Sequence, residues 1–109
     1  MAINPQKLTS KTQEALVAAQ DLAREARSTQ IDLPHLLLAL IDQSEGIVAA
    51  LMKELKVDEG RLRDRLQTMI TDGPHFSGSE PGQPGVSSDV NRLFDEAAKV
   101  AASLHDEYI

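Results

Sequence analysis

Two short groups of residues have the side-chain types that nucleotide-binding or catalytic sites use. Ser10–Thr12 contains Ser-Lys-Thr, the types that end a phosphate-binding loop, but the glycines that let backbone amides surround a phosphate are missing. Ser103, His105 and Asp106 have the residue types of a hydrolase triad. Neighbouring positions on one helix point in different directions, however, whereas a triad needs converging side chains. The sequence therefore predicts no catalytic residue, no nucleotide-binding residue and no cofactor in this chain.

Histidine and cysteine usage limits the remaining chemistry. His35, His75 and His105 do not follow a metal-ligand spacing, and the absence of cysteine excludes disulfides, thiolate nucleophiles and cysteine-based zinc sites. His35 falls in the first turn of a predicted buried helix. We expect its ring to hydrogen-bond groups at that helix end, and we predict no metal site.

Charge and hydropathy exclude two further classes of partner. The chain of 109 residues has a net charge of −6 and 3% aromatic residues, which disfavours nucleic acid and anionic membrane surfaces. Its longest apolar run, Leu36–Ile41, is too short to span a bilayer. The first five residues lack the basic and apolar segments of a signal peptide. We therefore expect a soluble, cytoplasmic domain.

The apolar residues are mostly Ala, Leu, Val and Ile in a chain of single-domain length, which favours an all-α fold. Apolar periodicity predicts helices at approximately 10–27, 33–43, 46–55, 58–71 and 88–106. The predicted starts are Thr9 or Ser10 (with Gln13 completing a capping box), Asp32, Gly46 and Asp58. The second helix is apolar on every face and should be central.

Apolar faces and composition complete the predicted organisation. The third helix has Ile47, Val48, Leu51 and Leu55 on one side, and the fourth directs Leu62, Leu66, Met69 and Ile70 inward. Glycine, proline and serine are concentrated in 73–86, which is typical of a mobile linker. The predicted units are thus a first repeat at 1–72, a linker at 73–86, and the start of a second repeat at 87–109.

An internal repeat appears when the chain is shifted against itself by 78 positions. Thr9-Ser10 then aligns with Ser87-Ser88, Leu16 with Phe94, Ala19 with Ala97, Leu22 with Val100, Ala23 with Ala101 and Ile31 with Ile109. Both the helix cap and the apolar stripe recur in register, which indicates a repeated structural unit. The first copy continues into the second helix, whereas the second copy ends after its first helix.

Several separated blocks resemble the Clp amino-terminal domain family: Asn4–Thr9 (NPQKLT), Gln13–Leu16 (QEAL), Ile31-Asp32 and His35–Leu40 (HLLLAL). Asp89–Ala97 (DVNRLFDEA) and Leu104–Ile109 (LHDEYI) are similar to the ClpB branch of this family. The resemblance implies a pair of four-helix repeats, here with the second repeat truncated after its first helix. The family's domain is joined flexibly to a hexameric AAA+ ATPase, so ATP and Mg²⁺ would bind later domains of the parent protein.

The resemblance to ClpB-type disaggregase chaperones implies a module that binds unfolded or aggregated protein. Thr9 and Asp106 match proposed substrate contacts of ClpB relatives, and Val100 would belong to an adjacent apolar groove. The alternative is an adaptor-docking N-domain of a Clp protease unfoldase. We expect a monomer with the fifth helix folded back onto the first repeat, and exchange of that helix between two copies is the alternative.

Overall fold

The computed structural model describes residues 9–43, 46–77 and 83–103. These ranges form five α-helices and two short strands: α1 (Ser10–Glu25), β1 (Gln30–Ile31), α2 (Leu33–Ile41), α3 (Ile47–Glu54), α4 (Glu59–Asp72), β2 (Gly85–Val86) and α5 (Ser88–Ser103). The predicted all-α fold class is confirmed, and the first four helices end within two residues of their expected limits. The expected end of the fifth helix, at Asp106, lies outside the described residues.

Side-chain caps fix the first residues of α1 and α2. The Thr9 hydroxyl accepts a hydrogen bond from the Thr12 amide (3.2 Å), so Thr9 is the N-cap of α1. At α2, Asp32 and His35 form a reciprocal capping box, in which the Asp32 amide donates to His35 Nδ1 (2.9 Å). Such bonds satisfy amides of the first turn, which lack partners inside the helix. The capping box predicted at Ser10 thus occurs at Asp32 instead.

The start of α5 reproduces the start of α1 at the separation of the sequence repeat. The Ser87 hydroxyl accepts from the Val90 amide (3.1 Å), as Thr9 does one repeat earlier, and the Ser87 carbonyl accepts from the Asn91 amide (3.1 Å). The internal repeat is therefore present in the backbone as well as in the apolar pattern.

The core consists of two adjoining clusters that share α2. The first joins α1, β1, α2 and α5 through Ala15, Ala19, Ala23, Ile31, Leu36, Ala39, Val90 and Phe94. The second joins α2 and α4 through Leu38, Ile41, Leu66 and Ile70. Small alanine side chains at every fourth position of α1 allow α2 to approach closely. Because its Val90 and Phe94 lie in the first cluster, α5 packs onto the first repeat of its own chain, as predicted.

Backbone hydrogen bonds hold the start of the predicted linker to the segment that follows α1. The Thr29 amide donates to the Pro74 carbonyl (3.1 Å), and the Phe76 amide donates to the Arg27 carbonyl (2.8 Å). These bonds form an antiparallel bridge. Residues 74–76 are thus held by backbone hydrogen bonds, and the mobility of the 73–86 linker stays a prediction.

The end of the predicted linker pairs with the other side of the segment that follows α1. The Gly85 amide donates to the Thr29 carbonyl (3.2 Å) and the Ser87 amide to the Ile31 carbonyl (3.0 Å), so β2 runs parallel to β1. Arg24 also donates to the Gln83 side chain (3.1 Å). These contacts place the N-terminus of α5 beside that of α2.

The orientation of α3 differs from the orientation that its sequence pattern predicts. Val48 and Met52 pack against the second cluster. Ile47, Leu51 and Leu55 are instead 76%, 54% and 73% exposed. Apolar residues cover more than one side of this helix, so periodicity alone does not decide which side faces the core.

Three of the four inward residues predicted for α4 are confirmed. Leu66 and Ile70 are buried, and Leu62 packs against them at half burial. Met69 is exposed, which contradicts the prediction, because its side of α4 faces an open groove.

Candidate functional site

An open apolar groove lies between α2, α4 and α5. All seven residues that line it are apolar: Leu33, Pro34, Leu37, Leu40, Leu66, Met69 and Leu93. Its volume of about 350 Å³ is at the lower end of the range for ligand sites, about 300–1,000 Å³. The groove exists because α2 is apolar on every side, and the two core clusters cover only part of its surface.

The side of α5 that faces the groove carries one of the predicted site residues. Leu93 lines the groove and is partly exposed. Val100 follows seven residues later, which places it on nearly the same side of the helix, and it is 56% exposed. Val100 is therefore accessible and lies on nearly the same side of α5 as Leu93, but it is not among the residues that line the groove. Its role in binding remains a prediction, and Asp106 lies outside the described residues.

Thr9, the remaining predicted site residue, is exposed at the start of α1. Among the described residues, its side-chain hydrogen bonds stay within the first helical turn, to the Thr12 amide (3.2 Å) and the Thr12 hydroxyl (2.9 Å). The cap is thus a demonstrated role of Thr9, whereas substrate contact remains a prediction. Thr9 is not among the residues that line the groove beside Leu93.

Ser28, Asp32 and His35 form a buried polar network with the residue types of a triad. His35 Nδ1 accepts a hydrogen bond from the Asp32 amide, so the neutral ring carries its hydrogen on Nε2. His35 Nε2 therefore donates to Ser28 Oγ (3.0 Å). A general base would need Nε2 to accept the serine proton, so this arrangement caps α2 and does not activate a nucleophile. The helix-end role predicted for His35 is confirmed.

Burial controls the charge of this histidine. Loss of hydration on burial lowers the pKa of His35 below its usual value, and the nearby Asp32 charge opposes this with a smaller effect. The pKa shift therefore favours the neutral ring that the two hydrogen bonds require.

Metal-binding and membrane-spanning features can be checked within residues 9–43, 46–77 and 83–103. In these ranges, no three His, Cys, Asp or Glu side chains are grouped so that they could hold a metal ion. No helix in the same ranges is both long enough and apolar enough to cross a bilayer.

Sequence reasoning did not identify the groove, although one signal for it was available. Leu33, Leu37 and Leu40 lie on one side of α2 and line the groove, and Leu37 and Leu40 also pack against the edges of the clusters. A helix that is apolar on all sides must be covered on all sides or leave an apolar surface. Apolar periodicity places Met69 on the inner face of the fourth helix and Leu93 on the apolar face of the fifth, but it does not tell which residues of a face stay uncovered.

The Clp repeat (R) N-terminal domain family matches residues 7–109. Chaperone protein ClpB of Bacillus cereus (strain ATCC 14579) is 35% identical over 105 residues, which are 94% of this chain and 12% of that protein. ClpB of Rhodopirellula baltica is 35% identical over 109 residues, 100% of this chain and again 12% of the relative. The chain therefore spans about 12% of the length of the curated relatives it matches.

Solved structures show the same architecture. The N-terminal domain (1–163) of the ClpV1 ATPase from E. coli EAEC Sci1 T6SS has a TM-score of 0.85 and 25% identity, covering 95% of this chain and 62% of that one. A chain in a structure described as a peptide from the EAEC T6SS Sci1 SciI protein gives the same values, with 64% of that chain covered. The N-domain of ClpV from Vibrio cholerae, at 19% identity and a TM-score of 0.80, shares the fold over 99% of this chain and 69% of its own. With a family match at 7–109 and ClpB relatives aligned along nearly its whole length, the chain belongs to the Clp repeat N-terminal domain family.

Proposed function

We propose that this chain is the N-terminal substrate-recognition module of an ATP-dependent protein-disaggregating chaperone. It binds apolar segments that unfolded or aggregated proteins expose and that folded proteins bury. The observation that supports this most is the apolar groove between α2, α4 and α5, with Val100 exposed on nearly the same side of α5 as Leu93. A groove without charged walls discriminates little between apolar sequences, as a module that meets many clients requires.

Binding through this surface should be weak and reversible. The groove is small, and ordering an unfolded segment costs conformational entropy that opposes association. A module that transfers its client to another domain must also release it. We therefore expect rapid exchange between free and bound client.

The parent protein would be a hexameric AAA+ ATPase of the cytoplasm, with ATP and Mg²⁺ bound in its later domains. The match of this chain to 12% of ClpB relatives supports that placement. For this chain alone we expect no nucleotide binding. Titration of ATP and Mg²⁺ against its amide NMR spectrum tests this, and saturable shifts confined to one patch would contradict it.

A pair of matched valines tests the α5 surface. Val100 and Val17 are 56% and 59% exposed, on α5 and α1 respectively. We expect Val100→Asp to weaken capture of a permanently unfolded client, reduced and carboxymethylated α-lactalbumin, about tenfold, because the charge must be desolvated on binding. Val17→Asp should bind as the unmodified chain does. Equal effects of the two changes would argue against the α5 surface.

The two other predicted contacts need variants that separate binding from folding. Thr9→Ala removes both the proposed contact and a cap worth about 1 kcal/mol, whereas Thr9→Ser retains a capping hydroxyl. We expect Thr9→Ala and Asp106→Ala to weaken client capture while the protein remains folded by thermal melting. Undiminished capture by folded variants would show that neither residue contacts the client.

A second candidate is the docking of a folded adaptor, as in Clp protease unfoldases. The exposed Ile47, Leu51 and Leu55 on α3 favour it, because a row of side chains along a helix suits a preformed partner surface. The parent reading frame discriminates the two functions. A disaggregase should continue into two ATPase modules separated by a coiled coil. A protease unfoldase should lack that coiled coil.

A further inference from the structure

The outer edge of β2 presents backbone groups that the fold does not use. Gly85 and Ser87 direct their amides towards the carbonyls of Thr29, just before β1, and Ile31, in β1. Successive residues of a strand alternate in direction, so Val86 directs its N–H and C=O away from β1. Among the described residues, neither group has a hydrogen-bond partner. Val86 therefore offers one donor and one acceptor side by side at an open sheet edge.

The side chains along this edge leave room for another strand. Val86 is paired in register with Ile31, so both side chains lie on the same face of the sheet. Ile31 is buried in the first core cluster, whereas Val86 is 38% exposed, and no strand of the ranges that the structure describes pairs with its outer side. A side chain added at Gly85 would have no described atom within 4 Å, so the face of the sheet beside Gly85 is open for a side chain of an added strand. An added strand would place one of its own side chains directly beside Val86.

We infer that this edge receives an extended apolar segment of an unfolded protein as an additional strand. This inference rests on the proposed function and specifies the form in which the client is held. Hydrogen bonds to the Val86 N–H and C=O anchor the client backbone, and one β-branched or aromatic side chain extends the row from Ile31 through Val86. The site recognises a main chain as well as a side chain.

The occupant must be extended and unfolded, because its backbone must offer N–H and C=O groups that are not already hydrogen-bonded. A helix has used its own amides and carbonyls, and a folded protein has paired most of those it buries. A second copy of this chain is excluded as a stable occupant, because an edge two residues long is too short to hold a dimer. An edge this short suits a client that must be released.

N-methylated peptides test this inference on the 109-residue chain. The probe is a soluble peptide of alternating Val and Thr with terminal lysines, in three forms: unmodified, N-methylated at alternate residues, and N-methylated throughout. Strand addition at one edge uses alternate amides, so the alternately methylated peptide should retain affinity within about threefold, and the fully methylated peptide should lose about tenfold or more. A helical bound form would lose affinity with both modified peptides, and binding through side chains alone would lose it with neither. Either result would overturn the inference.

A substitution at the edge gives a complementary test. Val86→Pro deletes the outward N–H, a change that edge strands tolerate, whereas Val86→Ala trims the side chain and keeps the donor. We expect Val86→Pro to weaken peptide binding about tenfold and Val86→Ala to weaken it less. If Val86→Pro does not fold, hydrogen exchange of the native Val86 amide provides the answer, since bound peptide should slow that exchange and an unchanged rate would overturn the inference.

The same variants separate this inference from the proposed function. Val86→Pro should weaken capture of carboxymethylated α-lactalbumin together with peptide binding. Capture that Val100→Asp weakens and Val86→Pro leaves unchanged would retain the proposed function and overturn strand addition. Failure of the unmodified chain to bind either probe would overturn both.

Discussion

His35 joins the start of α2 to the segment after α1 through both of its ring nitrogens. Protonation would place a hydrogen on Nδ1, where the Asp32 amide already donates, so the charged ring breaks the capping box. Because burial lowers its pKa in the folded state, the unfolded state takes up this proton at higher pH. The stability that the neutral ring contributes is therefore present above the unfolded pKa of about 6.5 and is lost as pH falls below it.

We expect the free energy of unfolding to decrease from about pH 7 to about pH 5 with a His35 contribution of at most about 1.4 kcal/mol per pH unit. His35→Gln should remove this contribution, because Gln does not titrate. Its side-chain oxygen can still accept a hydrogen bond from the N-cap amide, so the cap itself is retained. His75→Gln, a change in an exposed histidine, should retain it. Urea melts across this pH range measure the slopes, and equal slopes for His35→Gln and the unmodified chain would contradict the assignment.

Lys56 adopts a backbone conformation that suits glycine. Its φ of 55° lies in the left-handed region, directly after the C-cap residue Leu55 of α3. We expect Lys56→Gly to raise the free energy of unfolding by about 0.5–1 kcal/mol, because glycine avoids the Cβ clash. Lys53→Gly, inside the last turn of the same helix, should lower it by about 1 kcal/mol. Chemical denaturation measures the free energy of unfolding of both variants. A lower value for Lys56→Gly than for the unmodified chain would show that the backbone at Lys56 is not strained.

At the scale of elements, Ser87 couples two helix N-termini. Its hydroxyl accepts from the Val90 amide of α5 and donates to Asp32 Oδ1 at the start of α2 (3.0 Å), and its side chain is buried. We expect Ser87→Ala to cost about 1–2 kcal/mol, because it removes a cap and leaves a buried amide unpaired. Ser88→Ala, one residue away and exposed, should cost less than about 0.5 kcal/mol. Similar melting curves for both variants would show that Ser87 does not couple the helices.

Elements with a side-chain signature could be predicted, and elements without one could not. Thr9, Asp32 and Asp58 each cap a helix through a side-chain oxygen, so their residue type reveals the helix start. The pairing of β1 with β2 involves backbone groups of Gly85 and Ser87, which any residue except proline could supply. Composition therefore indicated a linker where the backbone forms strands. Resemblance predicts Val100 as a site residue, and that stays a prediction, whereas the groove beside Leu93 depends on how completely α2 is covered.

At the scale of the whole molecule, the repeat explains why the core closes on one side and stays open on the other. Val90 and Phe94 lie in the first cluster, so α5 covers part of the surface of α1 and α2. The α1 residues Ala19 and Ala23 are fully buried, whereas their repeat equivalents Ala97 and Ala101 are only partly buried. The two equivalent helices therefore differ in burial because α1 contacts α2, while the matching face of α5 borders the groove.

This asymmetry leads to a prediction about association. Since Val90 and Phe94 are already buried within their own chain, we expect a monomer in the low micromolar range, with weak self-association at higher concentration through the uncovered groove. Leu93→Ser should reduce that association with little effect on stability, because Leu93 is 45% exposed. Phe94→Ala should instead lower the free energy of unfolding by about 3 kcal/mol or more, since it empties part of the core.

Light scattering over a concentration series, combined with chemical denaturation, measures both effects. Exchange of α5 between two copies would appear as a dimer that persists at low micromolar concentration and that Leu93→Ser does not dissociate. Such a dimer would bury Phe94 in the partner's core, so Phe94→Ala would weaken it, and the monomer prediction would be wrong. Association through the groove has the opposite signature, because it depends on Leu93 and on concentration while each chain keeps Phe94 in its own core. The two substitutions lie at adjacent positions of one helix, so their contrast reports which face of α5 holds two chains together.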